Sequence, residues 1–222
     1  MKLPVVVATQ NADKAREITE IFVARRSEPL VAYSLDDVAF VLDRPDHIGV
    51  AVAALPTLTE PPDVTETGAT LEENARIKAR ALAVALGVTA IADDTGLEVD
   101  ALDGRPGVRS ARYAGEHASS ADNVTRLLDE LAGVPAARRT ARFATVALAY
   151  APDGHEVCRR GVVEGAISEA PRGTGGFGYD PVFVPIEGDG RTFAEMTPNE
   201  KHAVSHRGRA FRALADAVEE GS

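Results

Sequence analysis

Short apolar runs alternate along this chain with segments whose apolar residues recur at helical spacing. Residues 3–8, LPVVVA, form one such run, and a polar turn leads from it into a helical pattern over residues 13–25. Continuous β-branched runs of this length are typical of strands buried on both faces of a sheet. The order strand, loop, helix therefore predicts an α/β protein, with helices packed on a sheet.

Later segments extend this pattern. Thr70 and Glu73 form the capping box of a helix that ends at Gly87, and residues 88–94, VTAIADD, predict a second buried strand. A further helix begins at serine 119 or 120 and runs to about residue 131. Residues 141–167 predict two strands joined at a Pro-Asp-Gly turn, which would make the sheet mixed.

The C-terminal region predicts a helix with a break in it. Thr197 suits its N-cap, Pro198 its first turn and Glu200 a capping box, while Ser205 suits the N-cap of a second segment. Residues 27–63 are rich in proline, and strands within them cannot be placed from the sequence.

Composition limits the classes of function. We expect one domain over residues 1–222, with 45% hydrophobic residues and a formal net charge of −10. That charge argues against nucleic-acid and membrane partners. Cys158 is the single cysteine and the apolar run near the start is short, so we expect a cytoplasmic protein.

Two groups of polar residues suggest a site for phosphate and metal. Thr9, Asn11 and Lys14 lie in a strand-to-helix loop, where backbone N–H groups and the helix dipole favour a phosphate. The alternative is an ordinary helix start with a surface lysine. Glu66 with either Asp93 or Asp94 could hold Mg²⁺, which takes one or two carboxylates and keeps water and phosphate oxygens as its other ligands. The alternative is that Asp93 and Asp94 are solvated in a turn.

Two other segments suggest a base site. In the glycine-rich stretch GTGGFGYDPVF, Phe177 could stack on a base and Asp180 could accept from its N–H groups, although Phe177 and Tyr179 could instead fill the core. Lys201, His206 and Arg207 form a cationic cluster, or else part of a solvated helix face.

Five motifs together resemble one family. ATxNxxK, ETGxTxxENAxxKA, ADDTGLxVdaLxGxPGvxSARYAG, GTGGFGYDPVF and ExxxxEKxxxSHRxxA occur here in the order found in the inosine triphosphate pyrophosphatase family. The chain departs from that pattern in two ways: the segment before Glu66 is about 20 residues longer than is usual in bacterial members, and Thr95 stands where serine is commoner.

The resemblance implies a long mixed β-sheet flanked by helices in two lobes, with a nucleotide cleft between them, and a homodimer. It implies Mg²⁺-dependent hydrolysis of ITP, dITP or XTP to the monophosphate and pyrophosphate. Asp94 and Glu66 would hold the metal, and Asp94 would also activate water. The residues expected to contact substrate are Thr9, Gln10, Asn11, Lys14, Thr95, Phe177, Gly178, Tyr179, Asp180, Lys201, His206 and Arg207.

Within that set, Lys201 would bind the phosphates together with Thr9, Asn11 and Lys14. Phe177 would stack on the purine, Arg207 would donate to its 6-oxygen, and Asp180 or a backbone carbonyl would accept from N1. Two alternatives stay open, namely a phosphatase that removes only the terminal phosphate and a nucleotide-binding module without catalysis.

Overall fold

The computed structural model describes residues 5–9, 11–23, 30–33, 39–42 and 64–220. The strands are β1 (Val5–Ala8), β2 (Leu30–Tyr33), β3 (Ala39–Leu42), β4 (Thr89–Val99), β5 (Pro106–Gly107), β6 (Thr140–Tyr150), β7 (Glu156–Ile167) and β8 (Phe183–Pro185). The α-helices are α1 (Ala12–Val23), α2 (Leu71–Leu86), α3 (Ser120–Glu130), α4 (Pro198–Val204) and α5 (His206–Glu220). No helix in these ranges is long and apolar enough to cross a membrane.

The strands form a mixed sheet. Their order is β3-β2-β1-β4-β6-β7-β8, and β5 pairs with β4. Strand β1 is parallel to β2 and β4, with Val5 opposite Leu30 and Thr89 respectively. Pairs β2–β3, β4–β5 and β7–β8 are antiparallel. The predicted α/β class and mixed sheet are therefore confirmed.

The chain divides into two compact units. The first contains residues 1–94, 146–160 and 210–222, and the second contains residues 95–145 and 161–209. Strands β4, β6 and β7 each contribute residues to both units. The expectation of one domain with a central cleft stays a prediction.

Each unit has its own hydrophobic core. In the first unit, side chains of α1 and α5 pack with residues of β1, β4 and β6; the buried residues include Val7, Ile18, Ile91, Ala147, Phe211 and Leu214. In the second unit, α3 packs with the remaining parts of β4, β6 and β7; the buried residues include Leu97, Leu127, Phe143, Val163, Phe183 and Phe193.

The helix ends follow the local signals in the sequence. Thr70 and Glu73 form the predicted capping box of α2, and Gly87 ends that helix in the left-handed conformation. Ser119 caps α3. Thr197 caps α4, and Ser205 separates α4 from α5 with an extended backbone. The break predicted in the C-terminal helix is thus confirmed.

One strand is longer than predicted. The sequence places Asp93 and Asp94 at the end of a strand that gives way to a turn at Thr95 and Gly96. Instead β4 continues to Val99, so the two acids lie in its middle. Asp, Thr and Gly favour turns locally, but β5 pairs with β4 beyond them, at Leu97 and Glu98, and this pairing keeps the segment extended.

Candidate active site

The two adjacent aspartates of β4 are buried and meet different lysines. Asp93 is 1% exposed and Asp94 is 7% exposed. Asp93 Oδ2 lies 3.4 Å from Lys14 Nζ at the start of α1. Asp94 Oδ1 lies 3.3 Å from Lys78 Nζ on α2. Successive strand residues point to opposite faces of a sheet, which explains why the two acids have different partners. The structure therefore does not support the solvated turn.

Glu66 joins this group through the same lysine. Its Oε1 atom lies 2.9 Å from Lys78 Nζ, so the carboxylates of Glu66 and Asp94 converge on one ammonium group. With Asp93 and Lys14 the cluster has three carboxylates and two ammonium groups, a formal charge of −1. We call these five residues the carboxylate cluster.

Two titrating groups of the cluster have raised pKa values, and the causes differ. Burial raises the pKa of Asp94, and the nearby Glu66 adds to the rise, against the lowering by Lys78 and Lys14. Burial lowers the pKa of Lys78, but the charges of Asp94, Glu66 and Asp93 outweigh it, so the net shift is upward. Burial thus disfavours the charged form of Asp94, whereas the surrounding carboxylates stabilise the charged form of Lys78.

Asn74 fixes the position of Asp94. This α2 side chain is buried, and its Nδ2 atom donates to Asp94 Oδ2 at 3.2 Å. At its other end, Oδ1 accepts from the backbone N–H of Gly68 at 2.8 Å. A Cβ atom at position 68 would lie 2.6 Å from Asn74 Oδ1, so only glycine allows this close approach.

Other acidic residues of the same region have structural roles. Glu73 Oε2 accepts from the backbone N–H groups of Ala69 and Thr70, as its capping box requires. Glu72 pairs with Arg76, which also binds Glu156. Glu66 is thus the acid of this region whose carboxylate lies beside Lys78, the partner of Asp94, and its role as a metal ligand stays a prediction.

The donor set of the cluster fits Mg²⁺. Two carboxylates lie together, and a hard cation commonly uses one or two protein carboxylates while water and phosphate oxygens complete its shell. Within the described part of the chain, no group of three or more His, Cys, Asp or Glu side chains could hold a metal by itself. A cation at Glu66 and Asp94 would therefore depend on ligands from the substrate or from water.

The loop before α1 is organised by two of the predicted residues. Thr9 Oγ1 accepts from the Asn11 backbone N–H at 3.2 Å, and Asn11 Oδ1 accepts from the Lys14 backbone N–H at 3.0 Å. Asn11 therefore caps the helix, and Lys14 turns toward Asp93. Gln10 lies outside the described residues.

In the second unit, the predicted residues Lys201 and Arg207 lie beside the ring of Phe177. Lys201 Nζ is 2.7 Å from Asp180 Oδ2 and 4.7 Å from the centre of the Phe177 ring. Arg207 Cζ is 5.4 Å from the same ring centre. Phe177 is half-buried and does not belong to the core of its unit, so part of its ring surface is available to a ligand. We call Phe177, Asp180, Lys201 and Arg207 the aromatic–cation group.

Asp180 holds the glycine-rich loop in place. Its Oδ2 atom accepts from the Phe177 backbone N–H at 2.8 Å as well as from Lys201. Gly176 and Gly178 have φ angles of +68° and +62°, which L-residues with side chains rarely adopt. A Cβ atom at Gly176 would lie 2.1 Å from Asp180 Oδ2.

Two predicted contacts lie in the core instead. Tyr179 is buried, and its hydroxyl donates to the Ser110 carbonyl at 2.9 Å. His206 is buried and stacks on Phe143, with the ring centres 4.5 Å apart. The side chains of Tyr179 and His206 are therefore part of the buried packing of the second unit. Their roles as direct contacts with the substrate stay predictions.

The Thr95 hydroxyl forms hydrogen bonds with Arg207 and with a second threonine. Arg207 Nη2 donates to Thr95 Oγ1 at 3.2 Å. Thr95 Oγ1 is also 2.7 Å from Thr145 Oγ1 on β6. Thr145 is fully buried.

The structure thus sorts the predicted residues into two sets. Thr9, Asn11, Lys14, Glu66 and Asp94 belong to the first unit. The second unit holds Thr95, Phe177, Gly178, Tyr179, Asp180, Lys201, His206 and Arg207. The sequence placed Lys201 with the phosphate-binding residues, whereas its ammonium group pairs with Asp180 beside Phe177. A buried acid 21 residues earlier in the chain is a partner that sequence spacing does not reveal.

The sequence predicted no partner for three residues that the structure places beside predicted ones. Lys78 and Asn74 lie within the motif ETGxTxxENAxxKA, in which Lys78 stands out as a charged residue and Asn74 does not. Their positions four residues apart on α2 place them on one helix face, which is the signal that could have found them. Thr145, in contrast, gave no local signal.

The chain is similar to known proteins over nearly its whole length. A sequence model of the Ham1 family matches residues 5–217. A dITP/XTP pyrophosphatase of Mycolicibacterium paratuberculosis is 45% identical over 216 residues, which cover 97% of this chain and 96% of the relative. A dITP/XTP pyrophosphatase of Geobacillus kaustophilus is 44% identical, with coverage of 97% and 94%.

Solved structures agree with the sequence comparison. A HAM1 protein from Coxiella burnetii superposes with a TM-score of 0.77 at 35% identity, covering 99% of this chain and all of that one. A nucleoside-triphosphatase, described as a dITP/XTP pyrophosphatase, from Mycobacterium abscessus gives a TM-score of 0.67 at 41% identity, with coverage of 96% and 97%. The chain therefore belongs to the Ham1 family.

Proposed function

We propose that this protein hydrolyses non-canonical purine nucleoside triphosphates, namely dITP, XTP and ITP, to the monophosphate and pyrophosphate. The observation that carries the proposal is the convergence of Glu66 and Asp94 on Lys78. A buried carboxylate and a half-buried one beside a cationic side chain suit a metal-bound polyphosphate. The names of the relatives supply the substrate class.

Glu66 and Asp94 would hold Mg²⁺. A bound cation would neutralise part of the negative charge on the triphosphate oxygens. The carboxylate cluster supports this assignment because the carboxylates of Glu66 and Asp94 converge on one ammonium group and supply oxygen ligands of the kind that Mg²⁺ takes.

Asp94 is assigned a second role, as the general base. A water molecule attacks the α-phosphorus, its proton passes to the Asp94 carboxylate, and the bond between the α-phosphorus and the bridging oxygen breaks to release pyrophosphate. The fixed position of the buried Asp94 carboxylate supports this role, because a general base must lie within hydrogen-bond reach of the proton that it removes. Asn74 orients the carboxylate for the transfer.

The phosphate chain is assigned to the loop before α1 and to the lysines of the cluster. Thr9 and Asn11 shape the loop, and Lys14 and Lys78 bring positive charge to its neighbourhood. Lys14 and Lys78 would exchange part of their pairing with carboxylates for pairing with phosphate oxygens. Positioning of this kind is a large part of phosphoryl-transfer catalysis.

The base is assigned to the aromatic–cation group. Phe177 would stack on the purine, and Arg207 would donate to the 6-oxygen. A guanidinium group has donors and no acceptor, so the 6-amino group of adenine would leave it unpaired. Because Asp180 Oδ2 already binds Phe177 and Lys201, we assign Asp180 to holding the loop and assign the N1–H of the base to a loop carbonyl.

The two alternatives differ in their products. A terminal phosphatase would use the same metal and loops but attack the γ-phosphorus, and a binding module would have no need of the buried Asp94. The names of the relatives favour the pyrophosphatase over the terminal phosphatase, and the buried Asp94 favours catalysis over binding alone. We also propose a cytoplasmic homodimer, by similarity to the family.

A product analysis tests the proposal directly. The purified protein is incubated with Mg²⁺ and separately with ITP, XTP, dITP, GTP and ATP, and the products are separated by chromatography. We expect monophosphate and pyrophosphate from the 6-oxo substrates, with ATP nearly unchanged. Orthophosphate with a diphosphate would support the terminal phosphatase, and no turnover would support the binding module.

A further inference from the structure

We infer that Thr145 is a positioning residue for base selection, acting on Arg207 through the Thr95 hydroxyl. The inference rests on the proposed contact between Arg207 and the 6-oxygen of the base. It adds a residue that lies within a strand and has no predicted contact with substrate.

The three side chains form a short hydrogen-bonded chain within the second unit. Arg207 Nη2 lies 3.2 Å from Thr95 Oγ1, and Thr95 Oγ1 lies 2.7 Å from Thr145 Oγ1. Thr145 is fully buried and Arg207 is 2% exposed, whereas Thr95 is half-buried. Burial strengthens such bonds and makes a lost partner costly.

The chemistry of the groups determines which of them donates to Thr95 and which bonding positions of its hydroxyl are used. A guanidinium N–H can only donate, so Thr95 Oγ1 accepts from Arg207. The contact with Thr145 then uses a second bonding position of the Thr95 hydroxyl, whichever of the two threonines donates. Because threonine is β-branched and restricted about χ1, Thr145 holds the Thr95 oxygen in the rotamer that faces Arg207.

This arrangement gives Thr145 influence over the base without contact with it. Arg207 also lies 5.4 Å from the centre of the Phe177 ring, on which the base is proposed to stack. Loss of the Thr145 hydroxyl would free the Thr95 rotamer and loosen the guanidinium that reads the 6-oxygen. Selection between 6-oxo and 6-amino purines would weaken, while the carboxylate cluster would keep its own contacts.

The test uses Thr145→Val, which keeps the branched shape and removes the hydroxyl, and Thr145→Ser, which keeps the hydroxyl. The readout is the ratio of kcat/KM for ITP to kcat/KM for ATP, with KM and kcat reported separately. We expect Thr145→Val to lower the ratio about tenfold, mainly through a higher KM for ITP, as loss of one hydrogen bond would give. Thr145→Ser should restore the ratio to within about twofold.

A matched control removes another buried threonine hydroxyl. Thr89 lies at the start of β4 and is buried. Thr89→Val should change the melting temperature without changing the ratio. If Thr145→Val also leaves the ratio unchanged, the inference is wrong. Should that variant fail to fold, Thr145→Ala removes the same hydroxyl without adding a methyl group and must lower the ratio instead.

Arg207→Gln separates this inference from the proposed function. If Arg207→Gln leaves the ratio unchanged, the base contact and the inference both fail. If it lowers the ratio and Thr145→Val does not, only the inference fails. In the Arg207→Gln background, Thr145→Val should have no further effect on the ratio, and an additional loss as large as that of the single variant would contradict action through Arg207.

Discussion

The side-chain amide of Asn74 donates to Asp94 Oδ2 at 3.2 Å and so links α2 to the proposed general base. Asn74→Ala should lower kcat about tenfold or more, because a hydrogen bond to a charged group contributes about 1.5–3 kcal/mol. Steady-state kinetics with dITP would measure the loss.

Asn123 is a matched control for that prediction. It is buried in the second unit, accepts from the Ala114 backbone N–H and donates to the Ala111 carbonyl. Asn123→Ala should lower the melting temperature comparably and leave kcat within about threefold of the wild type, since it does not touch Asp94. Equal losses of kcat in the two variants would count against an orienting role for Asn74.

Asp94→Asn should reduce kcat by at least about 10²-fold, the lower range for a lost general base. The same change should make the fold more stable at neutral pH. Because burial raises the pKa of Asp94 above its ordinary value of 3.8, ionisation of this carboxyl costs stability. Activity close to that of the wild type would refute the assignment.

The sign of the pH dependence follows from the direction of that shift. A carboxyl whose folded-state pKa is raised binds its proton more tightly in the folded protein, so its contribution to stability falls as the pH rises from the unfolded value through the folded one. The stability gain of Asp94→Asn should therefore be largest at neutral pH and shrink as the pH approaches the ordinary value of 3.8. Denaturant unfolding at several pH values would measure it.

Phe177→Ala should raise KM for ITP by about 5- to 100-fold with little loss of stability, because stacking of a base on an aromatic ring contributes about 1–3 kcal/mol. Phe193 offers the contrast, since it is 1% exposed in the core of the same unit. Phe193→Ala should lower the free energy of unfolding by about 3–5 kcal/mol. An unchanged KM in Phe177→Ala would rule out stacking.

Gly176→Ala should impair substrate binding beyond the strain of its backbone. The new Cβ would lie 2.1 Å from Asp180 Oδ2. Relief of this steric clash must displace the Asp180 carboxylate, which binds the Phe177 backbone N–H and Lys201. Gly190 has a φ of +87°, and a Cβ atom there would meet open space, so Gly190→Ala reports strain alone, about 1 kcal/mol. A KM that is the same in both variants would contradict the role given to Asp180.

Arg139 is a buried arginine that donates to three backbone carbonyls, those of Leu131, Val134 and Ser168. Arg139→Ala should lower the free energy of unfolding by about 2 kcal/mol or more, because the buried carbonyls lose their donors. The neighbouring Arg138 is exposed, and Arg138→Ala should stay within about 0.5 kcal/mol of the wild type. Chemical denaturation of both variants would compare them.

Local interactions explain what the sequence predicted well. The capping boxes of α2 and α4, the left-handed stop at Gly87 and the break at Ser205 depend on residues within four positions of each other. Such signals lie within a short segment of the sequence and do not depend on contacts with residues distant along the chain. The sequence also predicts Glu66 as a metal ligand, because it lies outside the helix cap, and that role stays a prediction.

Long-range contacts decided the rest. Strand β4 continues through Asp93 and Asp94 because β5 pairs with it further on, although the local sequence favours a turn. Lys201 meets Asp180, and Thr145 meets Thr95 from a position 50 residues away. The sequence by itself determined the helix ends, the fold class and the residue types of the site. Only the tertiary structure decided which charges pair, because partners distant in sequence are brought together by sheet pairing and core packing, which no local pattern encodes.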